Sequence, residues 1–453
     1  MLSTIHRLMT ADQDKPVRIA VIGDAIEDHY LQGQLTTCQD GCPCWNTATE
    51  VVVPGGAANA ARSLSRWNAE AWLISPLHRP LEAAWRDVNM ELCFKSCFNT
   101  VPRKYRFLDE QNRIVWRQDE EDHHQCYGMK TEEMKEAQEL AVKAIREMGF
   151  KAVLICDYQK GFLTAELARE IIDICREKEV PVVADAKLPP DYFSGAVLKC
   201  NNAYAFKNYS PVSGHSPCAV VTHGAHSPCL TGEQFGMLTL DDSQCYAVLR
   251  NHVGAGDCFG AHLALGLAHG LEMTQAALFA HSAGRVYVQH LHNRPPWPHE
   301  IKRDLDPVRG KAISLCHLNA LRKSNSGRIV FTNGVFRFGC HAGHTQMLRW
   351  ARQQGECLVV GINDDQSAAE QRPGKTVLPL VERMECLAAL ECVDWVVPYA
   401  EATPEVTITA LAPDVLVKGS EYAGITVPGD QLVKETTFAP LGDFPKRHWS
   451  APM

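Results

Sequence analysis

A short glycine-rich turn holds the residue types best suited to phosphate chemistry. Residues 252–260 read HVGAGDCFG, and an apolar segment follows. Glycines let consecutive backbone N–H groups point the same way, and a helix beginning there adds the positive end of its dipole. Asp257 could then take a proton from an attacking hydroxyl. Because short motifs occur by chance, an ordinary glycine turn before a helix explains the stretch equally well when it is taken alone. The candidate catalytic residues are Gly254, Ala255, Gly256 and Asp257.

A glycine pair also precedes a second helical segment, much earlier in the chain. Residues 54–61 read PGGAANAA. Gly55 and Gly56 would let a ligand approach the backbone closely, and Asn59 would offer a donor and an acceptor to hydroxyl groups. The alternative is tight packing of this helix on a strand.

The bulk composition limits the classes to which the protein can belong. The 453 residues predict two or three domains, and 45% hydrophobic with 22% charged residues is typical of globular proteins. A net charge of −8 argues against nucleic-acid binding. No apolar run approaches the about 20 residues of a membrane helix, and the N-terminus lacks the apolar core of a signal peptide. The 18 scattered cysteines indicate free thiols in a reducing cytoplasm. Cys38, Cys42 and Cys44 lack an obvious fourth ligand, so no metal site is predicted.

Strands that end in polar or glycine-rich tips recur along the first 320 residues, with helices between them. This alternation is typical of a doubly wound α/β sheet, which binds ligands beyond the carboxyl ends of its strands. The glycine turn at 254–257 would join these tips on one rim. The tip residues are Asp24, Asp157, Asp185, Asn202 and Thr222.

Taken together and in this order, these motifs resemble the ribokinase family of carbohydrate kinases. The resemblance implies a doubly wound sheet with a small β lid, ATP with Mg²⁺ as the phosphoryl donor, and Asp257 as the base that deprotonates a sugar hydroxyl. It places Asp28, Gly55, Gly56 and Asn59 at the sugar, and Asn202, Thr222 and Gly224 at the nucleotide. Lys104, Arg106 and Lys160 are candidates for anionic groups. The resemblance also implies a homodimer formed through the lid, at residues 35–53.

A second α/β pattern begins after a polar stretch. We predict a first domain over residues 1–320, a linker over 321–327 and a second domain over 328–453. His341-Ala342-Gly343-His344, after Asn333-Gly334, resembles the HxGH box of nucleotidyltransferases, which implies a Rossmann-like fold. Histidines three apart at a helix start lie on one face and can stabilise charge on phosphorus. The plain alternative is a pair of surface histidines. Lys418 joins them as a candidate catalytic residue, and the nucleotide-binding candidates are Asn333, Gly334, Asn363 and Arg383.

A carbohydrate kinase followed by such a transferase resembles the bifunctional heptose-7-phosphate kinase and heptose-1-phosphate adenylyltransferase family of lipopolysaccharide precursor synthesis. Asp157-Tyr158-x-Lys160-Gly161 belongs to this resemblance and adds Asp157 and Lys160 as substrate-binding residues. The family implies phosphorylation of heptose 7-phosphate at the anomeric hydroxyl. A phosphatase then removes the 7-phosphate, and adenylyl transfer from ATP to heptose 1-phosphate gives ADP-heptose.

Four departures from the family pattern leave alternatives open. The family's serine/threonine-rich phosphate box near the C-terminus is not visible. Ala205 replaces the glutamate of a box that supports magnesium, Arg337 replaces an aspartate, and one extra residue precedes His341. One alternative is a sugar kinase with a degenerate, non-catalytic second domain. The other is a nucleotide-binding scaffold without catalytic activity.

Overall fold

The computed structural model describes most of the chain as two compact units that divide after Pro298. Two of the predicted nucleotide-binding residues, Asn202 and Gly224, lie outside the described residues. No helix in the described part is long and apolar enough to cross a membrane. The described ranges are 16–76, 90–92, 101–120, 131–185, 187, 189–201, 219–223, 226–232, 236–239, 250–306, 309–315 and 318–440.

The first unit contains a large, mainly parallel sheet and a smaller second sheet. Its strands are β1 (Val17–Gly23), β2 (Ala25–Thr37), β3 (Pro43–Gly56), β4 (Ala69–Ile74), β5 (Met90–Leu92), β6 (Arg103–Leu108), β7 (Ile114–Glu120), β8 (Ala152–Cys156), β9 (Val182–Asp185), β10 (Val197–Asn201), β11 (Ala219–His223), β12 (His226–Gly232) and β13 (Gly236–Thr239). The large sheet has the order β13-β12-β11-β10-β9-β8-β1-β4-β5, with β12 and β13 antiparallel. The smaller sheet, the lid, has the order β3-β2-β6-β7.

Helices cover both faces of the large sheet because successive side chains of its strands point to opposite faces. Ile155 of β8 belongs to a core cluster with residues of the helices on one side. Its neighbour Leu154 lies 3.4 Å from the position that a Cβ on Gly260 would occupy, on the other side. Both layers are therefore packed, as in a doubly wound fold. The helices are α1 (Ala57–Leu64), α2 (Thr131–Glu147), α3 (Ala165–Glu177), α4 (Ala255–Ala268) and α5 (Met273–Tyr287).

The second unit is a parallel sheet whose helices pack against two core clusters. Its strands are β14 (Ile329–Gly334), β15 (Cys357–Asn363), β16 (Trp395–Tyr399), β17 (Val415–Gly419) and β18 (Glu435–Ala439), in the order β16-β15-β14-β17-β18. All four pairings are parallel. Its helices are α6 (Pro298–Leu305), α7 (Leu318–Ser324), α8 (Ala342–Arg352), α9 (Asp365–Gln371), α10 (Leu380–Ala388) and α11 (Glu405–Leu411).

The division between the units falls earlier than the predicted linker at 321–327. Residues 321–324 lie inside α7, and Leu321 is buried in the same core cluster as Ile329. The backbone N–H of Ile313 donates to the carbonyl of Val396 over 2.9 Å. The polar composition of 321–327 therefore reflects the exposed side and end of a short helix, while the apolar side chains before it complete the second core.

Candidate functional site

The glycine turn forms the N-terminus of α4, as the sequence predicts. Gly254 is the N-cap residue with φ +81°, a conformation that favours glycine. A Cβ at Gly254 would come within 2.4 Å of Nδ2 of Asn59, so the close packing also requires glycine. Ala255 N–H donates to the carbonyl of His252 over 3.3 Å. The N–H groups of Gly256 and Asp257 follow in the first helical turn, where an α-helix supplies no internal partner.

Asp257 is buried and held by hydrogen bonds at both carboxylate oxygens. Nδ2 of Asn59 donates to Oδ2 over 3.0 Å, and the hydroxyl of Tyr158 donates to Oδ1. Burial raises the pKa of the Asp257 carboxyl to about 6, although both hydrogen bonds favour the charged form and lower it. A carboxyl with this pKa is mostly ionised at neutral pH and is more basic than an ordinary aspartate. The arrangement suits a general base.

Asn59 contacts the carboxylate of Asp257 directly. It lies in the first turn of α1, is fully buried, and places Nδ2 3.2 Å from the carbonyl oxygen of Gly254. The hydroxyl of Tyr287 donates to its Oδ1 over 3.3 Å. Asn59 therefore holds Asp257 in place, and its predicted contact with a sugar stays a prediction. Tyr287 was missed, because nothing in its helical surroundings sets it apart in the sequence.

Asp28 forms a buried ion pair in the lid. Nη1 of Arg106 lies 2.7 Å from its Oδ1, and Nδ2 of Asn293 lies 2.8 Å from its Oδ2. A Cβ on Gly55 would come 2.6 Å from the same Oδ2, which explains why this position is glycine. The second glycine, Gly56, has φ +57° and is the N-cap of α1. Two of the predicted sugar-side residues, Asp28 and Gly55, thus lie in contact, and Arg106 pairs with Asp28. The predicted role of Arg106 in binding an anionic group stays a prediction.

Lys104 remains a strong candidate for an anionic group. Its side chain is buried, its Nζ lies 5.3 Å from the ring centre of Tyr158, and within the described residues it forms no ion pair shorter than 4 Å. Nζ of Lys187 lies 5.1 Å from the same ring. Burial lowers the pKa of Lys104, Asp28 raises it, and Lys187 lowers it further. Two lysine ammonium groups therefore lie close to the ring of Tyr158, and the hydroxyl of this tyrosine reaches Asp257. Lys187 gave no motif signal.

Asp157 acts on the loops at the strand tips. Its Oδ1 accepts from the N–H of Gln159 and its Oδ2 from the N–H of Lys187, both over 2.9 Å. Asp157 therefore fixes the loop that carries Tyr158, and its predicted substrate contact stays a prediction. The N–H of Lys160 donates to Asp24 over 3.1 Å, and its half-buried side chain stays a binding candidate.

Thr222 lies at the end of β11, on the expected rim. It is half-buried, and its hydroxyl donates to the carbonyl of Cys200 over 3.3 Å. This position agrees with the predicted nucleotide-binding end of a strand. The other two residues predicted there, Asn202 and Gly224, lie outside the described residues.

In the second unit the two histidines stack at the start of α8. His341 is the N-cap, its Nδ1 accepts from the N–H of His344 over 3.4 Å, and the ring centres lie 3.8 Å apart. Burial, and secondarily His341, lowers the pKa of His344 to about 4, so its imidazole is neutral at pH 7. Phe336 and Gly339 both have positive φ, in the turn that leads to His341.

Lys418 is linked through Asn333 to a tyrosine that the sequence did not single out. Nζ of Lys418 lies 2.5 Å from Oδ1 of Asn333, whose Nδ2 donates to the hydroxyl of Tyr399 over 2.8 Å. Burial lowers the pKa of Lys418 to about 8, against an opposing effect of Glu421. Gly334 follows Asn333 at the end of β14.

Arg383 and Asn363 form buried hydrogen bonds inside the second unit, and their predicted nucleotide contacts stay predictions. Arg383 is fully buried and donates to the carbonyls of Leu378, Val335 and Asn363 over 2.7–2.9 Å. Asn363 is also buried, and its Oδ1 accepts from Tyr399 over 3.0 Å. Sequence motifs could not separate these roles, because an arginine that binds phosphate and one that binds carbonyls look alike.

Comparisons with known proteins decide the family. The chain is 30% identical over 450 residues to bifunctional protein HldE of Hahella chejuensis, covering 92% of this chain and 91% of the relative. It is 31% identical over 446 residues to bifunctional protein HldE of Pseudomonas aeruginosa, with 92% of each chain covered. The chain belongs to the HldE family. It is a bifunctional heptose kinase and adenylyltransferase, which confirms the resemblance seen in the motifs over the scaffold and degenerate-domain alternatives.

The two halves of this HldE-family chain match separate folds. Residues 331–441 match the cytidylyltransferase-like family. Phosphofructokinase-2 of Escherichia coli, solved with fructose-6-phosphate, superposes with a TM-score of 0.50 at 14% identity, covering 64% of this chain and 97% of that one. These matches confirm the predicted fold class, a ribokinase-like unit followed by a nucleotidyltransferase-like unit.

Proposed function

We propose that the first unit transfers the γ-phosphoryl group of ATP to the anomeric hydroxyl of heptose 7-phosphate, and that the second unit couples heptose 1-phosphate to AMP from ATP. The observation that carries the first assignment is the buried carboxylate of Asp257, at the N-terminus of α4, with a pKa raised to about 6 by burial. Such a group combines a base and an anion-binding helix end at one place.

In the proposed kinase step, Asp257 takes the proton of the sugar hydroxyl as the oxygen attacks the γ-phosphorus and ADP leaves. The N–H groups of Gly256 and Asp257 lie where they can stabilise the transferring phosphoryl group. The hydroxyl of Tyr158 donates to Oδ1 of Asp257, which indicates that a hydroxyl group can reach this carboxylate oxygen. Asn59 keeps the other oxygen fixed, so the carboxylate meets its substrate in one orientation.

The phosphate at the far end of the sugar would bind beside Lys104 and Lys187. Both ammonium groups lie over the ring of Tyr158, whose hydroxyl reaches Asp257. A dianionic phosphate there would offset the burial that lowers the pKa of Lys104. This supports a phosphorylated sugar as the substrate.

The proposed adenylyl transfer needs no covalent intermediate. The sugar 1-phosphate attacks the α-phosphorus of ATP, and pyrophosphate leaves. His341 and His344 would donate hydrogen bonds to phosphate oxygens, and Lys418 would supply positive charge. Since His344 is neutral at pH 7, it would act as an N–H donor rather than as a cation.

Magnesium is expected to arrive with ATP. Within the described residues, no group of three or more His, Cys, Asp or Glu side chains could hold a metal ion. Mg²⁺ often keeps water and phosphate oxygens as most of its ligands, so the donor set present suits an ion held chiefly by ATP. Mg²⁺ would neutralise charge on the phosphates.

We further propose a homodimer through the lid and a cytoplasmic location. Leu35, Val115 and Trp116 are exposed on the lid strands, and such apolar side chains suit a contact with a second copy. All described cysteines are free, which suits a reducing compartment.

The Asp257→Asn variant tests the proposed kinase function. Sugar phosphorylation should fall by roughly 10²–10⁴-fold, because the amide cannot accept the proton. Adenylyl transfer to heptose 1-phosphate, measured on the same sample, should stay unchanged and serves as the internal control for folding. Asp191→Asn, at an exposed position of the short 3-10 helix Pro190–Phe193, is the matched control. Near-normal phosphorylation by Asp257→Asn would refute the assignment.

A further inference from the structure

Lys199 is a buried lysine that none of the sequence motifs includes. It lies in the middle of β10 and is 7% exposed. Its neighbour Leu198 belongs to the core cluster formed with α2 and α3, so Lys199 points to the opposite face of the sheet. Asp185 of the adjacent strand β9 is its partner in the strand register, and Nζ lies 2.7 Å from Oδ2 of Asp185.

The ammonium of Lys199 packs against the first turn of α4. A Cβ built on Gly256 would come 2.6 Å from Nζ of Lys199 and 3.7 Å from Oδ2 of Asp185. Any side chain at this position would therefore displace the lysine. The second glycine of the turn is explained by this contact, since its backbone is not in the left-handed region. Gly256 therefore leaves room for the ammonium of Lys199 beside the first backbone N–H groups of α4.

The surrounding charges keep Lys199 protonated although it is buried. Burial lowers its pKa, but Asp185 and then Asp257 act in the other direction and hold the pKa above its ordinary value. Conversely, Lys199 lowers the pKa of Asp257, while Asp185 raises it. Replacing a buried ion pair with two well-packed apolar residues often leaves the stability of a fold unchanged or raises it. Stability alone therefore does not explain why Lys199 and Asp185 are paired here.

We propose that Lys199 is a further catalytic residue of the kinase unit, whose ammonium donates a hydrogen bond to a non-bridging oxygen of the transferring phosphoryl group. The proposal rests on the kinase function proposed above. Asp185 is the positioning residue that holds the ammonium toward Gly256. The sugar proton still goes to Asp257 while the new O–P bond forms and the bond to ADP breaks, so Lys199 gives up no proton. It supplies charge stabilisation only.

The substitution Lys199→Met tests this role, because methionine keeps most of the length of the side chain and removes its charge. We expect Lys199→Met to lower kcat for sugar phosphorylation by roughly 100-fold or more, with a much smaller change in KM for the sugar. Lys199→Arg keeps a cation and should recover part of kcat. The acid limb of kcat/KM should also move to higher pH in Lys199→Met, because Asp257 loses a nearby positive charge. Lys143→Met, at an exposed position of α2, is the matched control.

A structural role predicts different results. Lys199→Met leaves the half-buried Asp185 without its partner, so the double variant Lys199→Met with Asp185→Asn removes both charges and restores electrical balance. If the double variant has a wild-type unfolding temperature and remains deficient in kcat, the catalytic role stands. If the double variant regains wild-type kcat, or Lys199→Met loses only stability, the proposal is overturned. Absence of phosphorylation by the wild-type protein would instead refute the kinase function itself.

Discussion

Nδ2 of Asn59 lies 3.0 Å from Oδ2 of Asp257, although the two residues are 198 positions apart in the chain. Each stands in the first turn of its own helix, and each helix begins with a glycine at positive φ. The two glycine motifs therefore meet at one carboxylate. Asn59 fixes Oδ2, which leaves Oδ1 to the hydroxyl of Tyr158 and, in the proposed reaction, to the sugar.

Tyr158→Phe should shift the pH dependence of the kinase. The base must be ionised, so kcat/KM rises with pH and its acid limb reflects the Asp257 pKa of about 6. The hydrogen bond from Tyr158 lowers that pKa, so its removal should raise the pKa and move the acid limb to higher pH. The measurement is kcat/KM for sugar phosphorylation between pH 5 and about 8, which reports groups of the free enzyme.

The phosphate of the substrate also has a pKa near 6, close to the pKa of Asp257. The difference between the variant and the wild type, measured with one substrate, is therefore the result that counts. Tyr192→Phe, at a tyrosine stacked on Arg169 away from Asp257, should leave the limb in place. An unchanged limb in Tyr158→Phe would show that this hydroxyl does not contact the ionised base in solution.

Lys418 should limit adenylyl transfer at alkaline pH. Its pKa is lowered by burial to about 8, so the protonated fraction falls as the pH rises through 8 and the charge offered to the phosphates is lost. Transfer measured by pyrophosphate release should therefore decline above pH 8. Lys418→Arg keeps its charge at these pH values and should move the decline to higher pH, at some cost in rate. The kinase activity of the same variant is the control, because it depends on Asp257 of the first unit and should fall only if the whole protein is inactivated.

A decline that is the same in wild type and Lys418→Arg would contradict this assignment. The network beyond Lys418 gives a second, milder test. Tyr399→Phe removes the hydroxyl that accepts from Asn333, so Asn333 should hold Lys418 less firmly and transfer should slow without a shift of the alkaline limb. A shift in that variant would place Tyr399 itself among the titrating groups.

The sequence predicts the fold and the centre of each site better than it predicts the partners of each side chain. Strand tips and glycine turns are local signals, so Asp257, Gly254 and the histidines of α8 could be placed from the chain alone. Asn59 and Asp157 could be located at the rim, but whether their polar atoms face a ligand or another residue depends on contacts between distant segments. The partners Tyr287 and Asn293 reach the site from surroundings with no motif at all.

The same limit explains the second unit. The HxGH box predicted His341 and His344 correctly at a helix start, because capping is decided within one turn. The role of Arg383 depends instead on three carbonyls supplied by separate segments. The sequence did not predict the boundary near residue 298 either. The segment before the polar stretch belongs to the second unit because of the core into which its side chains pack, and its composition does not reveal that core.

Arg383→Met should destabilise the second unit rather than weaken nucleotide binding selectively. The guanidinium is fully buried and donates to three carbonyls and to Oδ1 of Asp365. Methionine fills much of the space but leaves those carbonyls without their donors, so unfolding should become easier by about 3–5 kcal/mol, the usual cost of removing one side of a buried polar network. Denaturant unfolding, followed by a probe in the second unit such as the fluorescence of Trp395, measures this loss. Arg372→Met, at an exposed position, is the matched control. Unchanged stability combined with a higher KM for ATP in adenylyl transfer would contradict the structural role and return Arg383 to the nucleotide.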